Sequence, residues 1–221
     1  MAAARPFVKI CCIASIEEAR LAAKHCASAI GLVGPMPSGP GPISVELAKA
    51  IAGSAPESVE IFLLTEESTA EAIAAHVRRV GPTAVQIVRE IAHAEYPRLR
   101  RLLRDIAIVQ VIHVEDGSAV ERARHYARFA DRLLLDSGRP SAPVAELGGT
   151  GRTHDWSVSR KIAETVRCPV YLAGGLNPLN AAEALRQAKP AGLDVCSGLR
   201  TDGKLDEAKL AAFMGAARGA A

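Results

Sequence analysis

At 221 residues the chain suits a single domain (1–221), slightly short of the ~250 residues usual for an eight-unit α/β barrel. Hydrophobic residues make up 49% and aromatics only 4%, so Ala, Leu, Ile and Val are expected to fill a core of layered strands and helices. Its 27 basic and 24 acidic residues are interspersed, and a net charge of +3 points to neither nucleic acid nor a membrane as partner.

Short apolar runs rich in β-branched residues alternate along the chain with longer Ala/Leu/Arg/Glu segments of helical period. Strands are predicted at Phe7–Cys12, Ala29–Val33, Val59–Leu64, Ala84–Val88, Ile106–Val114, Arg132–Asp136, Val170–Ala173 and Leu193–Cys196. Helices follow them at Ile16–Cys26, Val45–Ala52, Thr69–Val80, Glu95–Arg104, Ala119–Phe129, Trp156–Val166, Pro178–Gln187 and Glu207–Ala217. Ser15 reads as the cap of the first helix, with Glu17 and Glu18 at its positive end. Arg98, Arg100, Arg101 and Arg104 read as a solvated helix face. Asp155 reads as the cap before Trp156, and Asn177 as a cap with Pro178 in the first helical turn. Eight strands, each followed by a helix, predict one (β/α)8 TIM barrel. An open doubly wound sheet is the alternative, disfavoured because no first βα turn carries G-x-G-x-x-G.

Five cysteines form no C-x-x-C pair and no zinc-ligand spacing, and Cys11 and Cys12 are adjacent. That is a poor disulfide framework and suits a reducing, cytoplasmic location. Met1 to Pro6 holds no apolar signal core, and no apolar run reaches the ~20 residues that span a bilayer. The six histidines are scattered, none paired at ligand spacing, so no metal is expected. His113 reads more readily as a core or turn residue than as a ligand.

Glycines give the strongest functional signal. Gly148-Gly149-Thr150-Gly151 follows the sixth strand, Ala173-Gly174-Gly175-Leu176-Asn177 the seventh and Ser197-Gly198 the eighth. Glycine lets backbone N–H groups approach an anion, and barrels often hold a phosphate at the loops after strands seven and eight. A phosphorylated small molecule is therefore the expected ligand. Cys11 and Asp136, at the ends of strands one and six, face the same mouth as a possible base and acid. Composition and spacing alone favour a buried hydrophobe for Cys11 and a turn or cap residue for Asp136.

Lys9-Ile10-Cys11, Leu134-Leu135-Asp136-Ser137, Gly148-Gly149-Thr150-Gly151 with Asp155-Trp156, Leu172 to Pro178, and Asp194-Val195-Cys196-Ser197-Gly198 together resemble phosphoribosylanthranilate isomerase, in order and spacing. The resemblance implies a (β/α)8 barrel of tryptophan biosynthesis, needing no cofactor or metal. The implied reaction is an Amadori rearrangement of N-(5-phosphoribosyl)anthranilate. Cys11 matches its general base and Asp136 its general acid, while Gly149, Gly174, Gly175, Asn177, Ser197 and Gly198 fall in the glycine segments, those after strands seven and eight holding the 5-phosphate. Lys9, two residues before Cys11 on the same strand face, is our own addition as a charge partner for its sulfur.

Three departures from the family stand out, one beside the presumed base and two at the aryl end. Cys12 replaces the glycine of Lys-Ile-Cys-Gly, Gly41 stands where Ser-Pro-Arg carries a carboxylate-binding arginine, and Gln86-Ile87-Val88-Arg89 replaces Gln-Leu-His-Gly. Arg89 is the expected substitute for the missing cation. Alternatives are a related isomerase acting on another phosphorylated aminosugar and a non-catalytic sugar-phosphate-binding barrel. Either a monomer or a homodimer fits the sequence.

Overall fold

Strands apolar at successive positions need cover on both faces, which a parallel sheet wrapped by its crossover helices supplies. The computed structural model describes residues 6–36, 41–138 and 153–220. In it β1 (Phe7–Ile10), β2 (Ala29–Val33), β3 (Glu60–Thr65), β4 (Ala84–Ile87), β5 (Ala107–His113), β6 (Arg132–Asp136), β7 (Val170–Leu172) and β8 (Gly192–Val195) close in that order into a parallel barrel. Around it lie α1 (Ile16–Lys24), α2 (Val45–Ser54), α3 (Ala70–Val80), α4 (Glu95–Leu102), α5 (Ala119–Tyr126), α6 (Trp156–Thr165), α7 (Ala181–Ala188) and α8 (Glu207–Gly219).

Alternation splits the core in two. Residues such as Val8, Ile10, Ile30, Leu63, Ile87 and Leu135 pack outward against the helices. Val33, Phe62, Leu64, Val109, Leu134 and Tyr171 fill the inside. At the N-terminal end the barrel is plugged by Phe7 stacked on Tyr171 with ring centroids 4.6 Å apart. Arg132 lies 5.7 Å from the Phe62 ring centre and pairs with Glu60 at 2.7 Å. Bulk and charge together close that end, so the space for a ligand is at the C-terminal mouth.

Ser15 accepts from the Glu18 N–H at 3.2 Å, and Asp155 from Ser157 at 2.8 Å, as their positions suggest. Arg98 and Arg100 on α4 make exposed ion pairs with Glu95 and Asp131, and form a solvated face. Other boundaries move. β1 stops at Ile10 rather than Cys12, because Cys12 turns to a φ of 60° and leaves the extended region. α7 begins at Ala181, not Pro178. Asn177 instead accepts from Leu179 N–H at 2.9 Å while its own N–H donates to Asn180 Oδ1 at 2.8 Å, and these interlocked turns occupy the segment. A small hairpin, β9 (Arg200–Thr201) with β10 (Lys204–Leu205), follows β8 and was not legible in the pattern. Among the described residues no helix is long and apolar enough to cross a membrane.

Candidate active site

Lys9 on β1 and Cys11 just past its end point into the barrel from alternate positions, and β8 brings Asp194 into register opposite Lys9. The Lys9 Nζ lies 2.8 Å from Asp194 Oδ2 and 3.3 Å from Cys11 Sγ. Burial opposes the Lys9 charge, but the Asp194 carboxylate and the Cys11 sulfur more than offset it, leaving the lysine above its ordinary pKa. The ammonium therefore stays charged and supplies both a positive charge and a donor to the sulfur. Lys9 is fully buried, so only this pairing makes the charge tolerable there.

The sulfur has room because β2 carries glycine in its centre. A β-carbon at Gly31 would stand 2.7 Å from Cys11 Sγ and 3.2 Å from Cys11 Cα. A glycine inside a strand is a sign of such close approach, a signal present in the sequence but not read there. Gly31→Ala is expected to push the Cys11 side chain off its position and cut kcat by ~10²-fold, the cost of about 1 Å of misplacement. Steady-state kinetics beside a circular dichroism spectrum would show it; unchanged kcat in a folded variant would mean the sulfur's position is unimportant.

Asp136 ends β6, separated from β1 by β7 and β8 around the mouth. Its Oδ1 accepts the Ser137 N–H at 2.7 Å. Burial is the largest influence on it and raises its pKa above the ordinary carboxylate value; His113 and the Ser137 bond work the other way without reversing this. A carboxyl group that holds its proton to higher pH is suited to donating it. His113 is aligned with Asp136 across β5 and β6, is buried, and places Nε2 3.0 Å from the Val88 carbonyl. It is a core residue at the mouth rather than a turn.

The β7 and β8 ends approach closely. Gly174 and Gly175 both adopt positive φ, 85° and 63°. A β-carbon at Gly198 would lie 2.0 Å from the Leu176 carbonyl oxygen, so only glycine lets the two loops touch. Ser197 and Gly198 open a 3-10 turn, Ser197–Leu199, whose first N–H groups have no partner within the turn. Asn177 is spent on loop geometry, with Asn180 Nδ2 also tying Gly175 O at 3.0 Å. Gly149 lies outside the described residues.

At the other side of the mouth, Arg89 follows β4. Its carbonyl accepts from Gln110 Nε2 at 3.1 Å, and its guanidinium lies 3.6 Å from Glu66. It does not touch Cys11 or Asp136. Gly41 has a φ of 81°, and a β-carbon there would lie 2.8 Å from Cys12 Cβ. Two of the three departures from the expected pattern are thus in contact. Among the described residues no group of three or more His, Cys, Asp and Glu is placed to hold a metal.

A family model for N-(5'-phosphoribosyl)anthranilate (PRA) isomerase matches residues 8–216. An N-(5'-phosphoribosyl)anthranilate isomerase of Methanocella arvoryzae is 36% identical over 203 residues, 92% of this chain and 93% of that one. Phosphoribosyl anthranilate isomerase from Thermotoga maritima superposes with a TM-score of 0.82 at 30% identity, over 97% of this chain and 99% of that one. A phosphoribosyl anthranilate isomerase in complex with reduced 1-(o-carboxyphenylamino)-1-deoxyribulose 5-phosphate gives a TM-score of 0.79 at 29% identity, with the same coverage of each. The chain belongs to the phosphoribosylanthranilate isomerase family.

Proposed function

We propose that this chain, one barrel domain over 1–221, isomerises N-(5'-phosphoribosyl)anthranilate in tryptophan biosynthesis, with Asp136 as general acid and Cys11 as general base. Asp136 gives its proton to the ring oxygen as the bond from that oxygen to C1 breaks, leaving an iminium between C1 and the aryl nitrogen. Cys11 then takes the proton from C2. The C–H electron pair forms the C1=C2 bond, the iminium electrons return to nitrogen, and the enolamine tautomerises to the ketone. Lys9, held by Asp194, keeps a charge 3.3 Å from the sulfur throughout. The 5-phosphate rests on the backbone at Gly174, Gly175, Ser197 and Gly198, with Asn177 shaping the first loop. A monomer or a homodimer fits this reading, and a reducing cytoplasm suits a free Cys11 thiol.

The observation that carries this reading is the pairing of a half-buried carboxyl biased towards its protonated form with a thiol next to a fixed ammonium, across one mouth. A binding-only barrel has no need of that pair. Growth of an isomerase-deficient tryptophan auxotroph tests it. Rescue without added tryptophan by the wild type, and its absence with Asp136→Asn, is the expected result; no rescue by a well-expressed wild type would overturn it.

Arg89 is assigned to the substrate's aryl carboxylate. It is 47% exposed and among the described residues its guanidinium pairs with Glu66 at 3.6 Å, a contact worth little, so redirecting it costs little. A charge-assisted hydrogen bond contributes roughly 1.5–3 kcal/mol. Arg89→Ala should therefore raise KM at least about tenfold while changing kcat less. An unchanged KM would assign the carboxylate to another cation.

A further inference from the structure

The proposed reaction leaves Cys12 and Cys196 without a task, and the fold brings them together. The two are 184 positions apart in sequence, yet their Sγ atoms lie 2.6 Å from one another at the mouth. The backbone beneath is already fixed: Cys11 N–H donates to the Val195 carbonyl at 2.8 Å, and Ile10 pairs with Val195. A bond of ~2.05 Å between the sulfurs needs only about 0.6 Å of further approach. Cys12 holds a φ of 60°, a conformation that favours glycine, so a side chain is kept there against backbone preference. Unfavourable backbone retained at a site is a reason to look for a use.

We propose that Cys12 and Cys196 form an oxidisable dithiol, which hydrogen peroxide closes to a disulfide and a thiol reductant reopens. Cys196 is partly exposed and Cys12 is buried, so peroxide meets Cys196 first. Its sulfur attacks one peroxide oxygen, the O–O bond breaks, and hydroxide leaves, giving a sulfenic acid. Cys12 sulfur then attacks the Cys196 sulfur. The S–S bond forms as the S–O bond breaks, and the hydroxide departs as water with the Cys12 proton. Two thiols give up two electrons and the peroxide accepts them. The charge distribution agrees with this order of events. Contact with Cys12, aided by the Arg200 guanidinium against burial, holds Cys196 below the ordinary thiol range, whereas contacts with Cys11 and with Cys196 hold Cys12 above it. Cys11 also touches Cys12, but its sulfur is held by the Lys9 ammonium at 3.3 Å and over Gly31, whereas Cys196 Sγ lies 2.6 Å from Cys12 Sγ.

The test treats reduced full-length protein with stoichiometric hydrogen peroxide, then counts thiols in denaturant and maps non-reduced tryptic peptides. Two of the five thiols should disappear with loss of two hydrogens in mass, and dithiothreitol should restore them. The peptide holding Cys11 and Cys12 should be linked to the one holding Cys196. That link should persist in Cys11→Ser and vanish in both Cys12→Gly and Cys196→Ser. Cys12→Gly places the residue best suited to positive φ, so its folding is expected to be intact and circular dichroism checks it. A link through Cys11, Cys26 or Cys168, oxygen added without a cross-link, or five surviving thiols would overturn the proposal.

Discussion

Asp136→Asn is expected to lower kcat for the isomerisation by about 10²–10⁴-fold, the range for loss of a general acid, with a smaller change in KM. Asparagine has the same shape and its Oδ1 can still accept the Ser137 N–H, now 2.7 Å from the carboxylate. What it cannot do is give up a proton to the ring oxygen. Burial raises the Asp136 pKa, so the acid form persists above the pH at which an ordinary carboxyl ionises, and wild-type kcat should fall as pH rises through that raised value. The same shift has a consequence for stability. Below the unfolded-state pKa both states hold the proton and there is no penalty. Above it the unfolded chain ionises more readily than the folded one, and stability is lost. The asparagine variant should therefore melt no lower than wild type at neutral pH while being catalytically poor. A stable variant with wild-type kcat would remove Asp136 from the chemistry.

Asp194→Asn should have the largest effect on stability. It leaves the Lys9 ammonium, fully buried, without the carboxylate 2.8 Å away. Breaking a buried ion pair by removing one partner costs about 3–5 kcal/mol, which in a chain of this size corresponds to a fall in Tm of about 6–20 °C. Activity should fall as well, because Asp194 holds the lysine against Cys11 Sγ. The paired change Lys9→Met with Asp194→Leu separates the two effects. Replacing both charges with apolar groups should recover much of the lost stability, yet the sulfur would have no cation beside it and kcat would stay low. If the double variant regained activity together with stability, the pair would be structural only.

The barrel was legible because each strand is buried on both faces, so apolar runs such as Ala29–Val33 stand out between helical segments. The strands for β2 and β6 agree end to end, and others shift by a residue or two where a local turn intervenes, as at Cys12. The acid and base were visible as residue types at strand ends but gained their roles from the resemblance. What could not be read depends on closure of the ring. Lys9 and Asp194 are 185 residues apart, and nothing local marks them as partners. The same holds for Arg200, which pairs with Glu18 at 3.0 Å and donates to the Cys12 carbonyl. Glu18 was read only as a charge at a helix start, although it also ties the first loop to the β9–β10 hairpin through Leu205 N–H at 2.9 Å. Gly31 is a different case: its position inside a strand was a usable sign of close approach.

The departures at Cys12 and Gly41 make sense together. The Cys12 side chain fills the space next to residue 41, where a β-carbon would approach Cys12 Cβ to 2.8 Å. A larger residue at 41 is thus disfavoured as long as Cys12 is present, and the cation for the aryl end has to come from another strand. Arg89, at the end of β4 with its backbone fixed by Gln110, is placed at the same mouth.

The most direct measurement is a fluorescence assay that follows disappearance of phosphoribosylanthranilate, made in situ, with wild type, Cys11→Ser and Asp136→Asn in parallel. Rapid decay of the signal with wild type, and decay slowed by at least about 10²-fold in each variant, is the predicted result. Decay by folded wild type no faster than in its absence, or equal decay in all three proteins, would contradict the assignment of this barrel and its Cys11–Asp136 pair to the isomerisation.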